Sequence, residues 1–162
     1  MNRCKWSLKD DLYIRYHDTE WGKPIFSDQK LFEYLILETF QAGLSWYTIL
    51  KKRDNFRLAF DNFSVEKVAR YDTIKIAALI QNKGIIRNKL KIQAAITNAQ
   101  AFLKVQQVYG SFADYIWAFV NYKPIINHWK TEKEVPASTQ LSEKISKDLK
   151  QKGFKKLKLK KI

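Results

Sequence analysis

Apolar residues recur along this chain at helical rather than alternating spacing, and only five glycines and three prolines interrupt them, so amphipathic helices are expected throughout and the fold class is all-α. Ser27 reads as the N-cap of a helix running to about Gln41, whose interior, Leu31-Phe32-Glu33-Tyr34-Leu35-Ile36-Leu37-Glu38, is apolar on almost every side. Such a helix belongs in the middle of the fold. Gly43 should break or bend it, with a second helical segment from Ser45 to Lys52. Ser64 is placed to cap a short helix carrying Val65, Val68 and Ala69, and another follows near Thr73 to Asn82. The firmest periodicity runs from Arg87 to about Gln106 through Ile92, Ala95, Ile96, Ala99, Phe102 and Leu103. Ser111 to Asn121 has the form of a capping box with Asp114 at N3. Ser138 or Thr139 should start the last helix and Gly153 end it.

At 162 residues, 46% hydrophobic and 14% aromatic, the chain has material for one domain with a real core, and the composition argues against disorder despite 28% charged residues. The net charge of +14 predicts attraction to a polyanion such as nucleic acid or an acidic membrane face. Half of that surplus lies in Lys147–Ile162, where eight lysines face one acid, Asp148, so the rest of the chain is only mildly basic. A single cysteine, Cys4, leaves no internal disulfide and fits a reducing compartment. No apolar run has the length of a membrane span, and no signal-peptide core opens the chain. The expected location is the cytoplasm.

Three stretches carry candidate chemistry. Ile80 to Lys91 sets Gly84 between two helices and opens the second with Arg87, Lys89 and Lys91. With Gly84 in the left-handed conformation and free helical N–H groups beyond it, this would be a phosphate-gripping helix-hairpin-helix; an ordinary connection between two helices is the alternative. At 100° per residue Glu38 falls within about 60° of Leu31, Tyr34, Leu35, Gln41 and Ala42, with Glu33 on the opposite side. A carboxylate pointing where apolar side chains point must be paired, hydrogen-bonded or kept for use. Finally, Trp6, Tyr13, Tyr16 and Trp21 crowd a stretch that also holds Cys4, His17, Asp18 and Glu20. Such density serves a core, or a cage for a flat cation or an extruded base. Cys4 and His17 would be half of a tetrahedral zinc site, and the one other histidine is His128.

Together these segments resemble the DNA-3-methyladenine glycosylase I family. The resemblance rests on Arg3-Cys4-x-Trp6, Tyr13-x-x-Tyr16-His17-Asp18-x-Glu20-Trp21-Gly22-x-Pro24 and Leu37-Glu38-x-x-Gln41-Ala42-Gly43-Leu44-Ser45-Trp46. It extends through Ile49 to Arg53, Gly84-Ile85-Ile86-Arg87, Lys91-Ile92-Gln93-Ala94 and Phe119-Val120-Asn121. It implies a helix-hairpin-helix DNA glycosylase over residues 1–154 that removes 3-methyladenine from double-stranded alkylated DNA as a monomer. In that role Glu38 contacts the polar edge of the flipped base, and Trp46, Tyr16, Trp6, Tyr13 and Trp21 surround it. Gly43, Leu44, Gly84, Arg87, Lys89 and Lys91 face the DNA, water is the nucleophile, and the chemistry needs no cofactor.

The pattern departs from the wider superfamily at two places. Ile86 replaces a second hairpin glycine, and the first aspartate beyond Gly84 is Asp114, so leaving-group activation is expected from the substrate's own charge. The resemblance also implies a structural zinc bound by Cys4, His17 and a His and Cys from a further C-terminal segment. Here residues 155–162 form a lysine-rich tail instead, so a tightly held metal is not expected and apolar surface should be exposed. The tail is expected to be solvated and to add nonspecific phosphate attraction. Two other readings follow from the same residues: a weakly active or inactive DNA-binding remnant of the family, and a structural helical protein whose basic tail binds RNA or ribosomes.

Overall fold

The computed structural model describes residues 2–157. Eight α-helices lie among them: α1 Asp11–Thr19, α2 Asp28–Gln41, α3 Trp46–Ala59, α4 Val65–Ala69, α5 Thr73–Gln81, α6 Lys89–Tyr109, α7 Phe112–Ala118 and α8 Gln140–Gln151. Short 3-10 turns at Lys5–Lys9, Asp61–Phe63 and Glu132–Glu134 complete the order. No strand occurs among the described residues, as the helical spacing requires.

The ends of these helices are written locally. Ser27, Ser45, Asp72, Asn88, Ser111 and Thr139 each accept a backbone N–H of the first turn they precede. Thr139 and Ser142 form a reciprocal capping box. Two helix ends and one further helix differ from the expectation. The segment after Gly43 continues to Ala59, because Phe56 and Ala59 are buried and carry it past Lys52. The helix after Ser111 stops at Ala118, since Asn121 and Tyr122 adopt positive φ. The aromatic stretch Asp11–Thr19 is a helix, capped by Asp10.

α6 is the axle, packing against α2, α4, α5 and α7. Phe32, Ile36, Leu37 and Phe40 of α2 meet Phe56 and Phe60, Ile92, Ala95, Ala99 and Phe102 of α6, and Phe112 and Tyr115 of α7 in one core. Small residues on α6 let its neighbours approach closely, and stacked or edge-on phenyl rings fill the space between. Because α2 is covered on several sides, Glu33 does not face water: it is 7% exposed, held by Arg57 at 2.8 Å and Lys30 at 3.7 Å.

The lysine-rich end starts docked. Lys155 exchanges two backbone hydrogen bonds with the buried Asn98 side chain, at 2.7 and 3.0 Å, and Leu157 packs on the core. The rest of that tail, 158–162, lies outside the described residues.

Candidate active site

Asp10 accepts the Tyr13 amide at 2.9 Å and so fixes the start of α1. Tyr13, Tyr16 and His17, three and four residues apart, then share one helical face. Trp6, from the preceding 3-10 turn, lies on that face with ring-centroid distances of 4.8 Å to Tyr13, 6.4 Å to Tyr16 and 5.5 Å to Trp21. Tyr16 reaches across to Trp46 at the first turn of α3, 5.8 Å away. Tyr34 of α2 lies nearly parallel to Trp46, at 6.3 Å and 21°. All five aromatic residues expected at the site are thus in one cluster. Tyr34 is a sixth; its sequence signal was only its place on the Glu38 side of α2.

Glu38 projects from α2 into this region. It is largely buried, and no hydrogen bond or counter-charge among the described residues offsets that burial, which pushes its carboxyl up to about 6. Tyr16 lies beside it: burial, then the charges of Glu20 and Glu38, push that phenol up to about 12. The neighbouring acids are all occupied. Glu20 holds Arg53 at 2.6 and 2.8 Å and accepts the Tyr34 hydroxyl. Asp18 holds Arg3 at 2.9 Å, and Asp10 accepts the Tyr47 hydroxyl. The indole N–H of Trp46 is buried without an acceptor among the described residues, which is rare for a buried donor. The region therefore offers an unpaired acid, an unpaired donor and several flat rings.

Two loops border it at the α2 end. Between α2 and α3, Gly43 takes φ +81° and leaves Leu44 38% exposed. The α5–α6 hairpin presents Arg87 and Lys89 to solvent, while Ile85 anchors it in the core. Two expectations are corrected here. Gly84 is absent from the residues of positive φ; it is needed for close approach, since a Cβ would meet Asn55 and Asn82 side-chain atoms at 3.1 Å. Lys91 is not a phosphate-facing residue, because its ammonium turns inward and donates to the carbonyls of Phe40 at 2.9 Å and Ala42 at 2.7 Å. Those carbonyls lie at the negative end of α2, which suits a cation, while burial and then the charge of Lys156 lower the Lys91 pKa. Lys91 thereby ties the start of α6 to the Gly43–Leu44 loop.

The family model for methyladenine glycosylases matches residues 6–159. This chain belongs to the methyladenine glycosylase family. It is 48% identical over 155 residues to DNA-3-methyladenine glycosylase 1 of Escherichia coli, covering 96% of this chain and 83% of that one. Against the DNA-3-methyladenine glycosylase of Haemophilus influenzae it is 47% identical over 152 residues, covering 94% and 82%. The solved 3-methyladenine DNA glycosylase I of Staphylococcus aureus, described for its recognition of 3-methyladenine, superposes with a TM-score of 0.93 at 40% identity, over 97% of this chain and 84% of that one.

The zinc that this family resemblance implies can be set against the residues present. Cys4 and His17 stand together: the Cys4 amide donates to His17 Nε2 at 3.4 Å, and His17 Nδ1 lies 3.0 Å from Asp18. Trp21 stacks on the imidazole at 5.5 Å and 16°. No group of three His, Cys, Asp or Glu side chains able to hold a metal occurs among the described residues. A tetrahedral zinc needs four donors, so the described residues do not fit one. The Cys4–His17 contact serves instead to fasten the N-terminal segment to α1.

Proposed function

We propose that this methyladenine glycosylase family member is a base-excision repair enzyme that hydrolyses the N-glycosidic bond of 3-methyladenine in alkylated double-stranded DNA. The observation that carries the reading is Glu38, a largely buried and uncompensated carboxylate beside the Tyr16–Trp46 pair. An acid in that state stabilises a cation that enters without its hydration shell, and the rings add cation–π attraction. The nucleotide of 3-methyladenine is cationic, whereas normal adenine is neutral and loses both terms.

In this reading the nucleotide is flipped out of the duplex. Trp46 and Tyr16 stack on the base, Trp6, Tyr13 and Trp21 complete the wall, and Glu38 meets the polar edge. The hairpin at Gly84, Arg87 and Lys89 grips the backbone, and Leu44, exposed beyond Gly43, fills the stack left by the flipped base. The positive charge on the base already weakens its bond to the sugar, so water is a sufficient nucleophile and the chain supplies no covalent one. No step uses a metal. The enzyme acts as a monomer in the cytoplasm.

The test is incubation with methylated duplex DNA. Free 3-methyladenine should be released by the protein and far less by Glu38→Gln. Well-folded protein that releases none overturns the reading.

A further inference from the structure

We infer that the α3 face carrying Tyr47, Lys51 and Asn55, extended by Lys9, is a further contact surface for the phosphates of DNA, running from the rim of the aromatic cluster to the hairpin. The inference rests on the DNA partner proposed above and adds a surface to it.

Residues 47, 51 and 55 are spaced by four and so line one side of α3 over about 12 Å. One end of this line abuts the cluster, where the Tyr47 ring lies 5.1 Å from that of Tyr13. The other end abuts the hairpin, where Asn55 Nδ2 donates to the Gly84 carbonyl at 3.2 Å. A strand held by the hairpin with one base in the cluster must cross the interval between them.

The face carries two lysines and one carboxylate, Asp10, whose pKa the Tyr47 hydrogen bond lowers and the charge of Lys9 helps to lower. The ammonium groups of Lys9 and Lys51 lie 4.1 and 4.9 Å from the centroid of the same Tyr47 ring. Both side chains belong to exposed residues, and neither has an ion pair among the described residues. The acid nearest in bonding, Asp10, already accepts the Tyr47 hydroxyl and the Tyr13 amide. Asp54, the acid next to Asn55, pairs with Arg57 at 3.1 Å. Two like charges gathered at one ring repel, and exposed cation–π contacts are weak enough to be exchanged for a phosphate.

The test is the salt dependence of binding to a duplex carrying a stable abasic-site analogue, for the wild type, Lys9→Gln/Lys51→Gln and a control pair on α8, Lys144→Gln/Lys147→Gln. Loss of two phosphate contacts should make the slope of log K against log salt shallower by about 1.8 in the first variant. The control should keep the wild-type slope, and free 3-methyladenine should bind the first variant as it binds the wild type. An unchanged slope, an equal change in the control, lost affinity for the free base, or a wild type that does not bind the duplex would each overturn the inference. Base release by the wild type reports separately on the proposed function: binding with the expected slopes but without release would sink that function and leave this surface standing.

Discussion

Arg53 and Glu20 meet through two guanidinium–carboxylate contacts of 2.6 and 2.8 Å. Glu20 is one of the two carboxylates whose charge reaches Tyr16, the other being Glu38. Neutralising Glu20 leaves Glu38 as the free acid of the cluster. Arg53→Met should therefore cost about 2 kcal/mol, below the ~3–5 kcal/mol of a fully buried broken pair because both side chains keep some solvent. Urea denaturation would show this, and Glu20→Gln in the same chain should restore part of the loss.

Glu38→Gln should stabilise the protein while impairing it. The folded carboxyl titrates at about 6 against an ordinary 4.5. The folded state therefore keeps a proton that the unfolded chain releases, and stability falls as pH rises from about 4.5 to about 6, by about 2 kcal/mol. The glutamine escapes that loss. Its unfolding free energy should exceed the wild type's by up to about that amount at pH 7.5 and match it below pH 4.5. A variant no more stable at neutral pH would contradict the uncompensated state of Glu38.

The same titration sets the acid limb of activity. If the ionised carboxylate attracts the cationic base, excision under single-turnover conditions should fall towards acid pH with a midpoint near 6, the value to which burial pushes Glu38. Glu38→Gln should lack that limb in whatever activity remains.

Lys91→Met should unsettle the α2 end. It removes two charge-assisted hydrogen bonds to the Phe40 and Ala42 carbonyls, at a cost of about 2–3 kcal/mol. Base release should slow beyond what lost folded protein explains, because Ala42 leads directly into Gly43 and Leu44. Denaturation and single-turnover release, measured together, separate the two effects.

Gly84 and Gly43 should fail differently on substitution by alanine. At Gly84 the new methyl crowds Asn55 and Asn82 at 3.1 Å, and displacing Asn55 breaks its bond to the hairpin, for about 1–3 kcal/mol. At Gly43 nothing lies within 4 Å, but φ is +81°, and the strain costs about 1 kcal/mol. Calorimetry would read both, and Asn55→Ala should blunt only the Gly84 penalty.

The helices were legible because their causes are local. Ser27, Ser45 and Thr139 cap the turns they precede, Gly153 ends the last helix at φ +96°, and apolar spacing marks the buried faces. Even the placing of Glu38 among apolar side chains needed only the pitch of one helix. The boundaries that slipped, at Ala59 and Ala118, were decided by burial and backbone strain that no short window contains.

By itself, then, the sequence determined the helical class, most helix caps, the aromatic company around Glu38 and the family. Tertiary structure alone decided which charges are free. Glu20 is neutralised by Arg53 from another helix, Glu33 is sealed in by Arg57, and Lys91 bends inward to a helix end that lies far away in sequence. Helical pitch is a property of neighbouring residues, whereas charge pairing depends on which side chains from distant elements come within about 3 Å of one another, and only packing settles that.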